Sequence, residues 1–202
     1  MLPSAAVARG KSRLGLPEPQ TSAGCDLLAA LKARRSTREF AARPLPLEVL
    51  STLLWAAFGV NRPRSGGRTA PSAHGWQETD VYAALAEGLY RYDASAHALD
   101  LAVGQDMRAL TGSQDFVGAA PLNLVYVADF SRMVDASEED RLFFAAADAA
   151  LIAQNVYLYC AAAGLATVVR GLVDRRKLAP AMRLRREQRI VLAQTVGFPA
   201  RS

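Results

Sequence analysis

The residue types best suited to chemistry lie in one short run, Arg34-Arg35-Ser36-Thr37-Arg38. A guanidinium group is a rigid planar fork that can bind two phosphate oxygens at once, and hydroxyl groups can donate to the same anion. The run therefore predicts an anion clamp. A purely structural interpretation stays open beside it, in which the first two arginines favour the C-terminal end of a helix and Ser36 and Thr37 end that helix.

The other candidate side chains are isolated. His74 could donate to a ligand or bond its own loop, and Trp76 could stack on a planar ligand or cover a pocket. Cys160 lies in an apolar helical segment, where a cysteine is expected to be a small core residue. Four arginines between residues 183 and 189 have no interleaved aromatic residues to stack on bases, so a solvated surface or an acidic partner is favoured over nucleic acid.

Helices must position these residues, and capping residues with apolar residues at helical spacing indicate where they lie. Asp26 is a candidate N-cap, Pro46 suits a first helical position, and Ser137 before three acidic residues opens a long alanine-rich helix that ends at Gly164. The helical segments predicted in this way are residues 26–34, 46–58, 105–110, 114–118, 137–163 and a basic helix from Asp174.

Strands are indicated where the hydrophobic period changes to two. The segment 79–103 alternates in three parts and predicts an antiparallel three-stranded stretch, while the apolar run 122–127 is continuous enough for a central strand. Two more strands are predicted at 166–169 and 190–196. Residues 61–70 are expected to form a basic, glycine-containing loop. Because helices and antiparallel strands interleave, the predicted class is α+β.

Composition limits the class of protein. The chain has 202 residues, 51% of them hydrophobic, which is enough for one core. Two distant cysteines argue against a disulfide framework, a zinc site or a dithiol centre, so redox chemistry would need a borrowed cofactor and a cytoplasmic location is expected. The net charge of +5 leaves nucleic acid, a membrane surface and phosphorylated small molecules open.

The domain organisation is expected to be simple. Residues 1–25 lack the apolar core of a signal peptide and predict a flexible N-terminal arm, and residues 26–202 predict one domain. The apolar segment 142–163 is interrupted by Asp148, Gln154 and Asn155, so no membrane-spanning segment and no membrane partner are expected.

Three stretches resemble one family. The first motif, residues 34–40, is followed by a proline-flanked amphipathic helix and resembles the R-x-S-x-R-x-F signature of the nitroreductase superfamily. The second motif, residues 69–77, is similar to the P-S-x-x-x-x-Q stretch that lines the flavin in that superfamily. The third motif, residues 164–171, resembles its strand and turn after the long helix, and residues 196–199 also fit. The resemblance spans residues 26–199.

The resemblance implies a nitroreductase-like three-layer α/β/α sandwich with a mainly antiparallel central sheet, in a domain-swapped type of homodimer with FMN at two interface sites. It also implies hydride transfer in two steps, between NAD(P)H or a small organic substrate and a nitroaromatic, quinone or similar acceptor. No side chain is assigned as catalytic and no metal is implied. The residues that the resemblance assigns to FMN are Arg34, Arg35, Ser36, Arg38, Pro71, Ser72, Ala73, His74, Val168, Val169, Arg170, Gly171 and Arg201.

Departures from the family pattern keep other functions open. His74, Gly75 and Trp76 stand where many relatives have an asparagine and a proline-tryptophan pair, and Arg170 stands where many have an acidic residue. One alternative is therefore an FMN-binding storage protein without turnover. Another is a thiazoline or oxazoline oxidase, since Ser72-Ala73 followed by the strands at 80–82 and 88–93 resembles that branch. A basic nucleic-acid-binding domain is suggested only by charge, and salt-sensitive DNA binding would support it.

Overall fold

The computed structural model describes residues 12–22 and 24–200. Its strands are β1 (Arg13–Gly15), β2 (Val60–Arg62), β3 (Gly67–Arg68), β4 (Thr79–Leu85), β5 (Gly88–Asp93), β6 (Ala98–Val103), β7 (Leu122–Asp129), β8 (Ala166–Arg170) and β9 (Gln188–Gly197). Its helices are α1 (Leu27–Ala33), α2 (Leu47–Phe58), α3 (Phe116–Ala119), α4 (Glu138–Ala162) and α5 (Arg175–Ala181). Short 3₁₀ turns lie at Ala73–Gly75, Arg108–Thr111 and Phe130–Arg132.

A seven-stranded sheet organises these elements in the order β1-β6-β5-β4-β7-β9-β8. Every neighbouring pair in it is antiparallel. All eight residues of β7 are buried, because helices or other elements cover both of its faces. The predicted central strand and the predicted antiparallel stretch are both confirmed.

Side chains that alternate along the strands divide the core into two parts. Val81 and Ala83 of β4 face a core that they share with α2 and α4, whereas Tyr82 and Ala84 face a second core that contains Leu178 of α5. Helices therefore cover both faces of the sheet. The predicted α+β class and three-layer sandwich are confirmed.

Helix α4 is the longest element, and both of its predicted ends are confirmed. The Ser137 hydroxyl caps its N-terminus by accepting from the Asp140 N–H at 3.1 Å, and Gly164 follows its C-terminus with φ of +66°. By length and composition, α4 is also long and apolar enough to cross a membrane. The polar residues that interrupt its sequence had led to the opposite expectation. Its buried side packs against the sheet and α2, as a core helix of a globular domain does.

Part of the predicted flexible arm belongs to the sheet. Strand β1 pairs with β6 at the sheet edge, and Leu14 and Leu16 pack against the core. The Pro17 carbonyl accepts hydrogen bonds from Ser51 and from His97. Residues 12–22 therefore lie against the domain, because their alternating apolar side chains have a surface to cover.

Smaller differences concern local geometry. Pro46 is the N-cap of α2 and not its first helical residue, a position that a residue without an N–H also suits. The predicted loop 61–70 contains the β2–β3 hairpin. The helix predicted near 105–110 is a 3₁₀ turn, which is common in a short connection.

The cap of α4 should contribute measurably to stability. We expect Ser137→Ala to lower the free energy of unfolding by about 1 kcal/mol, because the Asp140 N–H loses its acceptor. In a chain of this length that is a fall in Tm of roughly 2–4 °C. Calorimetry at one fixed protein concentration measures it. Ser113→Ala, at an exposed serine, is the control, and equal melting temperatures for the two variants would contradict the assignment.

Candidate functional site

The first motif leaves α1 at Ala33 and runs as extended chain beside the end of the sheet. The Thr37 N–H donates to the Thr167 carbonyl of β8 at 2.9 Å, and the Ala41 N–H donates to the Phe198 carbonyl at 2.9 Å. Phe40 forms an isolated antiparallel bridge with Pro199. Backbone pairing thus places the first motif next to the third, and the closing segment of the chain holds it there.

Tyr157 of α4 joins these two motifs through its hydroxyl. The hydroxyl accepts from the Val169 N–H at 2.9 Å and lies 2.8 Å from the Ser36 hydroxyl. Since it already accepts from Val169, its own proton can go to Ser36, which leaves the Ser36 proton for a ligand. The guanidinium carbon of Arg34 lies 5.4 Å from the centre of the Tyr157 ring, within range of a cation–π contact.

Tyr157 lies in the apolar helical segment that contains Cys160, and the sequence patterns assigned it no role. A signal for its role was present, because a tyrosine in an otherwise apolar helix needs a partner for its hydroxyl. The identity of that partner was not visible in sequence, since Ser36 lies 121 residues away. Cys160 itself is fully buried, as expected for a core residue.

A cleft of about 350 Å³ opens between the first motif and the third. Lys32, Arg34 and Arg35 supply cationic groups to its wall, and residues 164–167 supply the opposite side. Among the described residues, neither these cations nor Arg38 form an ion pair. A wall of unpaired cations beside hydroxyl groups can bind a phosphorylated ligand. This arrangement favours the predicted anion clamp over the purely structural interpretation.

The third motif has two faces with different environments. Val168 is buried, and the Val169 side chain packs toward the core under α4. Arg170 is 3% exposed and points to the opposite side of the sheet, as strand alternation requires. Gly171 is exposed, and a Cβ there would meet nothing within 4 Å, so the chain beyond β8 is open to a ligand.

The Arg170 side chain is closed inside the protein. Its guanidinium donates to the Thr111 carbonyl at 2.8 Å, to the Thr195 hydroxyl at 2.9 Å and to the Asn123 side-chain oxygen at 3.1 Å. Gly112 leaves the space that this guanidinium fills. Burial lowers the pKa of Arg170 to about 10. Arg170 was predicted to bind the cofactor, but its side chain is buried among these partners. It can therefore contact a ligand only through its main-chain groups.

The second motif forms a tight turn stabilised from within. The Ser72 hydroxyl accepts from the Gln77 N–H at 2.8 Å and donates to Glu78 at 3.1 Å, so it is not directed at a ligand. The Ala73 N–H donates to Asp148 of α4 at 2.8 Å. His74 and Gln77 have positive φ of 52° and 47°, a conformation that side chains rarely adopt.

That conformation presents an aromatic surface. The rings of His74 and Trp76 lie 4.4 Å apart, and both meet Phe144 of α4 edge-on at 5.8 and 5.9 Å between centroids. Phe143, 66% exposed, extends the cluster. Pro71 beside it is also exposed. Exposed aromatic faces can stack on a planar ligand.

The second motif lies apart from the other two within one chain. It binds α4 at Asp148, whereas the first and third motifs meet α4 at Tyr157. Nine residues of helix separate these contacts by roughly 13 Å along the axis, and by half a turn around it. The structure therefore brings together the first and third motifs and leaves the second elsewhere. Arg201 lies outside the described residues.

The chain is similar to known proteins of one family. A model of the nitroreductase family matches residues 31–198. A Methanocaldococcus jannaschii protein named as a candidate nitroreductase is 33% identical over 145 residues, which cover 67% of this chain and 73% of that protein. A structure from Ralstonia eutropha, also described as a candidate nitroreductase, is 50% identical with a TM-score of 0.92 and covers 100% of this chain and 96% of its own.

A more distant structure is similar in fold alone. It is an NADPH:FMN oxidoreductase from Vibrio harveyi in complex with NAD+, 20% identical with a TM-score of 0.65. The match covers 87% of this chain and 69% of that one.

Loss of the Tyr157 hydroxyl should loosen the junction of the first and third motifs. We expect Tyr157→Phe to lower the free energy of unfolding by about 1–3 kcal/mol, because the Val169 N–H loses its buried acceptor. Urea denaturation measures the difference. Tyr159→Phe is the matched control on the same helix, since its hydroxyl makes only a long 3.4 Å contact. Equal losses in both variants would contradict the proposed junction.

Glu78 should make stability depend on pH. Burial raises the pKa of this carboxyl above its ordinary 4.5, and the nearby Asp148 acts in the same direction. The folded state therefore holds its proton to higher pH than the unfolded state, so the stability that protonated Glu78 contributes is present below pH 4.5 and is lost as pH rises through the folded pKa.

We expect Glu78→Gln to gain stability relative to the wild type as pH rises above about 4.5, since glutamine carries no charge to bury. Urea titrations at several pH values measure this difference. Glu18→Gln, at an exposed glutamate, is the control and should follow the wild-type profile. A Glu78→Gln profile parallel to the wild type would show that Glu78 does not titrate differently in the folded state.

Proposed function

Because the chain belongs to the nitroreductase family, we propose that it is an FMN-dependent oxidoreductase. It would move hydride in two steps, from NAD(P)H or a small organic substrate to FMN and then to a nitroaromatic, quinone or similar electrophile. One observation carries the proposal: Arg34 and Arg35 of the first motif line an open cleft together with Lys32, and none of the three forms an ion pair among the described residues. A cytoplasmic location is part of the same proposal.

The residues present fit the chemistry of FMN. Arg34 and Arg35 in the cleft wall offer guanidinium forks for the phosphate, whereas Arg38 of the same motif is exposed and does not line the cleft. The Ser36 hydroxyl, oriented by Tyr157, offers one more donor. Main-chain groups at the open end of the third motif can bond the polar edge of the ring system. Bound there, FMN would supply the two-electron chemistry that the described side chains lack.

The chain's own contribution is binding, orientation and charge. Unpaired cations around the cleft favour a ligand that carries negative charge, and they favour it more as that charge increases on reduction. No described side chain is placed as an acid or base in this cleft. We therefore assign no catalytic side chain, and specificity is left to the shape of the pocket.

A second copy of this chain would complete the site. The second motif lies too far from the first to share a cleft with it in one chain, so we propose that the partner subunit supplies it. Helix α4 exposes Leu142, Phe143 and Leu151, and α1 exposes Leu27 and Leu28 at 61% and 74%. Apolar area of this kind is typical of a surface that another subunit covers.

Cofactor content tests this proposal. We expect purified protein to carry FMN near one per subunit, with Arg35→Gln weakening FMN binding about tenfold or more, because a bond to a charged phosphate is lost. Absorbance of the released flavin and equilibrium titration of the apoprotein measure both quantities. Arg43→Gln is the control, since it removes the same charge at an exposed position outside the cleft. An apoprotein that fails to take up FMN would overturn the proposal.

Anaerobic mixing with NADPH or NADH then separates the remaining possibilities. Rapid bleaching of bound flavin supports a reductase that uses NAD(P)H. Stoichiometric FMN that neither nucleotide reduces would contradict that part of the proposal and support the storage protein or the heterocycle oxidase. An oxidase would still be reduced by a thiazoline or oxazoline peptide, whereas a storage protein would not.

A further inference from the structure

The β2–β3 hairpin carries positive charge that the proposed function does not use. Arg62, Arg64 and Arg68 lie within seven residues of one another. A cleft of about 310 Å³ separates this hairpin from the second motif. Arg62 and Arg68 line one wall, and Ser72, Gly75 and Gln77 line the other.

Hydrogen bonds fix the two walls to each other. Gln77 accepts from the Arg68 side chain at 2.9 Å and donates to the Gly66 carbonyl at 3.1 Å. The Thr69 N–H donates to the Gly59 carbonyl at 2.9 Å, which ties the hairpin to the end of α2. Because both walls are held, the cleft is preorganised and does not have to be assembled by its ligand.

The charge in this cleft is not neutralised. Among the described residues, neither Arg62 nor Arg68 forms an ion pair, and the carboxylates near Arg68 are already engaged. Asp80 pairs with Arg132 at 2.9 Å, and Asp93 pairs with Arg13 at 2.6 Å. The Arg68 guanidinium is half-buried against the Phe58 ring, 5.3 Å from its centre. Its Nε donates to Gln77 and one terminal nitrogen donates to the Phe58 carbonyl at 3.4 Å, which leaves the other terminal nitrogen for a phosphate oxygen.

Gly67 determines where the Arg62 side chain lies. The Arg62 guanidinium donates to the Arg68 carbonyl at 3.2 Å, across the hairpin. A Cβ on Gly67 would overlap that guanidinium, so only glycine lets it rest against the hairpin backbone. The Arg62 guanidinium is thereby held beside the Arg68 main chain, at the wall of the cleft.

We propose that this cleft is a phosphate subsite, bound by Arg62 and Arg68, for the diphosphate of a pyridine dinucleotide hydride donor. The dinucleotide assignment rests on the proposed function, in which the second motif lines the flavin. A donor whose nicotinamide lies at that flavin would extend along the second motif, and the cleft is the cationic surface next to this motif. The phosphate of FMN carries the same chemistry, and the experiment separates the two sources.

Calorimetric titration of the FMN-loaded protein with inorganic pyrophosphate tests the subsite directly. We expect Arg62→Gln to weaken pyrophosphate binding about tenfold or more. Gly67→Ala should weaken it as well while keeping every charge, because the methyl group displaces only the flexible end of Arg62. Arg64→Gln is the matched control: it removes one charge from the same hairpin but does not line the cleft, and its affinity should stay within twofold of the wild type.

The FMN content of the same samples distinguishes the outcomes. Unchanged FMN in Arg62→Gln and Gly67→Ala, with a raised KM for NADPH and unchanged kcat, supports the dinucleotide assignment. Loss of FMN in both would show that the subsite takes the flavin phosphate, and would overturn it. Equal weakening by Arg62→Gln and Arg64→Gln, or no pyrophosphate binding at all, would overturn the subsite. A protein that never takes up FMN but binds pyrophosphate in an Arg62-dependent way would overturn the proposed function. The phosphate subsite would still stand.

Discussion

A buried polar group must find a hydrogen-bond partner, and helix α4 applies that constraint to the whole molecule. Two of its buried residues, Asp148 and Tyr157, carry polar groups into an otherwise apolar interface. Asp148 accepts from the main chain of the second motif, and Tyr157 bonds both the first and the third. An unpaired group at either position would cost about 1–3 kcal/mol. The motifs therefore cannot shift independently of the helix that packs on the sheet.

A second constraint comes from the positive charges that line the two clefts. Among the described residues, the arginines of the first motif and of the β2–β3 hairpin form no ion pair, while Asp80, Asp93 and Asp129 pair with other arginines. Unpaired like charges repel, so they reduce the stability of the free protein. An anionic ligand that binds only the folded state restores the lost stability, because its binding shifts the folding equilibrium by mass action. At both proposed sites, an anionic ligand would therefore couple binding to folding through the same interaction.

Arg170 shows how strand geometry changes the role of a residue type. It belongs to the third motif, but its side chain points away from the cleft and satisfies Thr111, Asn123 and Thr195 beneath the sheet. Val169, one residue earlier, faces α4 instead. The same guanidinium chemistry that would bind phosphate at Arg35 stabilises the interior at Arg170. The departure from the family pattern at this position is accommodated by Gly112, which leaves the necessary space.

Local interactions made most elements predictable from sequence alone. The caps at Asp26 and Ser137 and the two-residue period of β4 act within a few residues, so their patterns are visible in the chain. The resemblance of the first motif to the nitroreductase signature likewise indicated the cluster of arginines around Arg34. Only the tertiary structure decided that Tyr157 would reach Ser36, that the Arg170 side chain would turn inward, and that the second motif would lie away from the first. Those outcomes depend on contacts between residues distant in sequence, and strand order and helix packing bring such residues together in ways that no local pattern encodes.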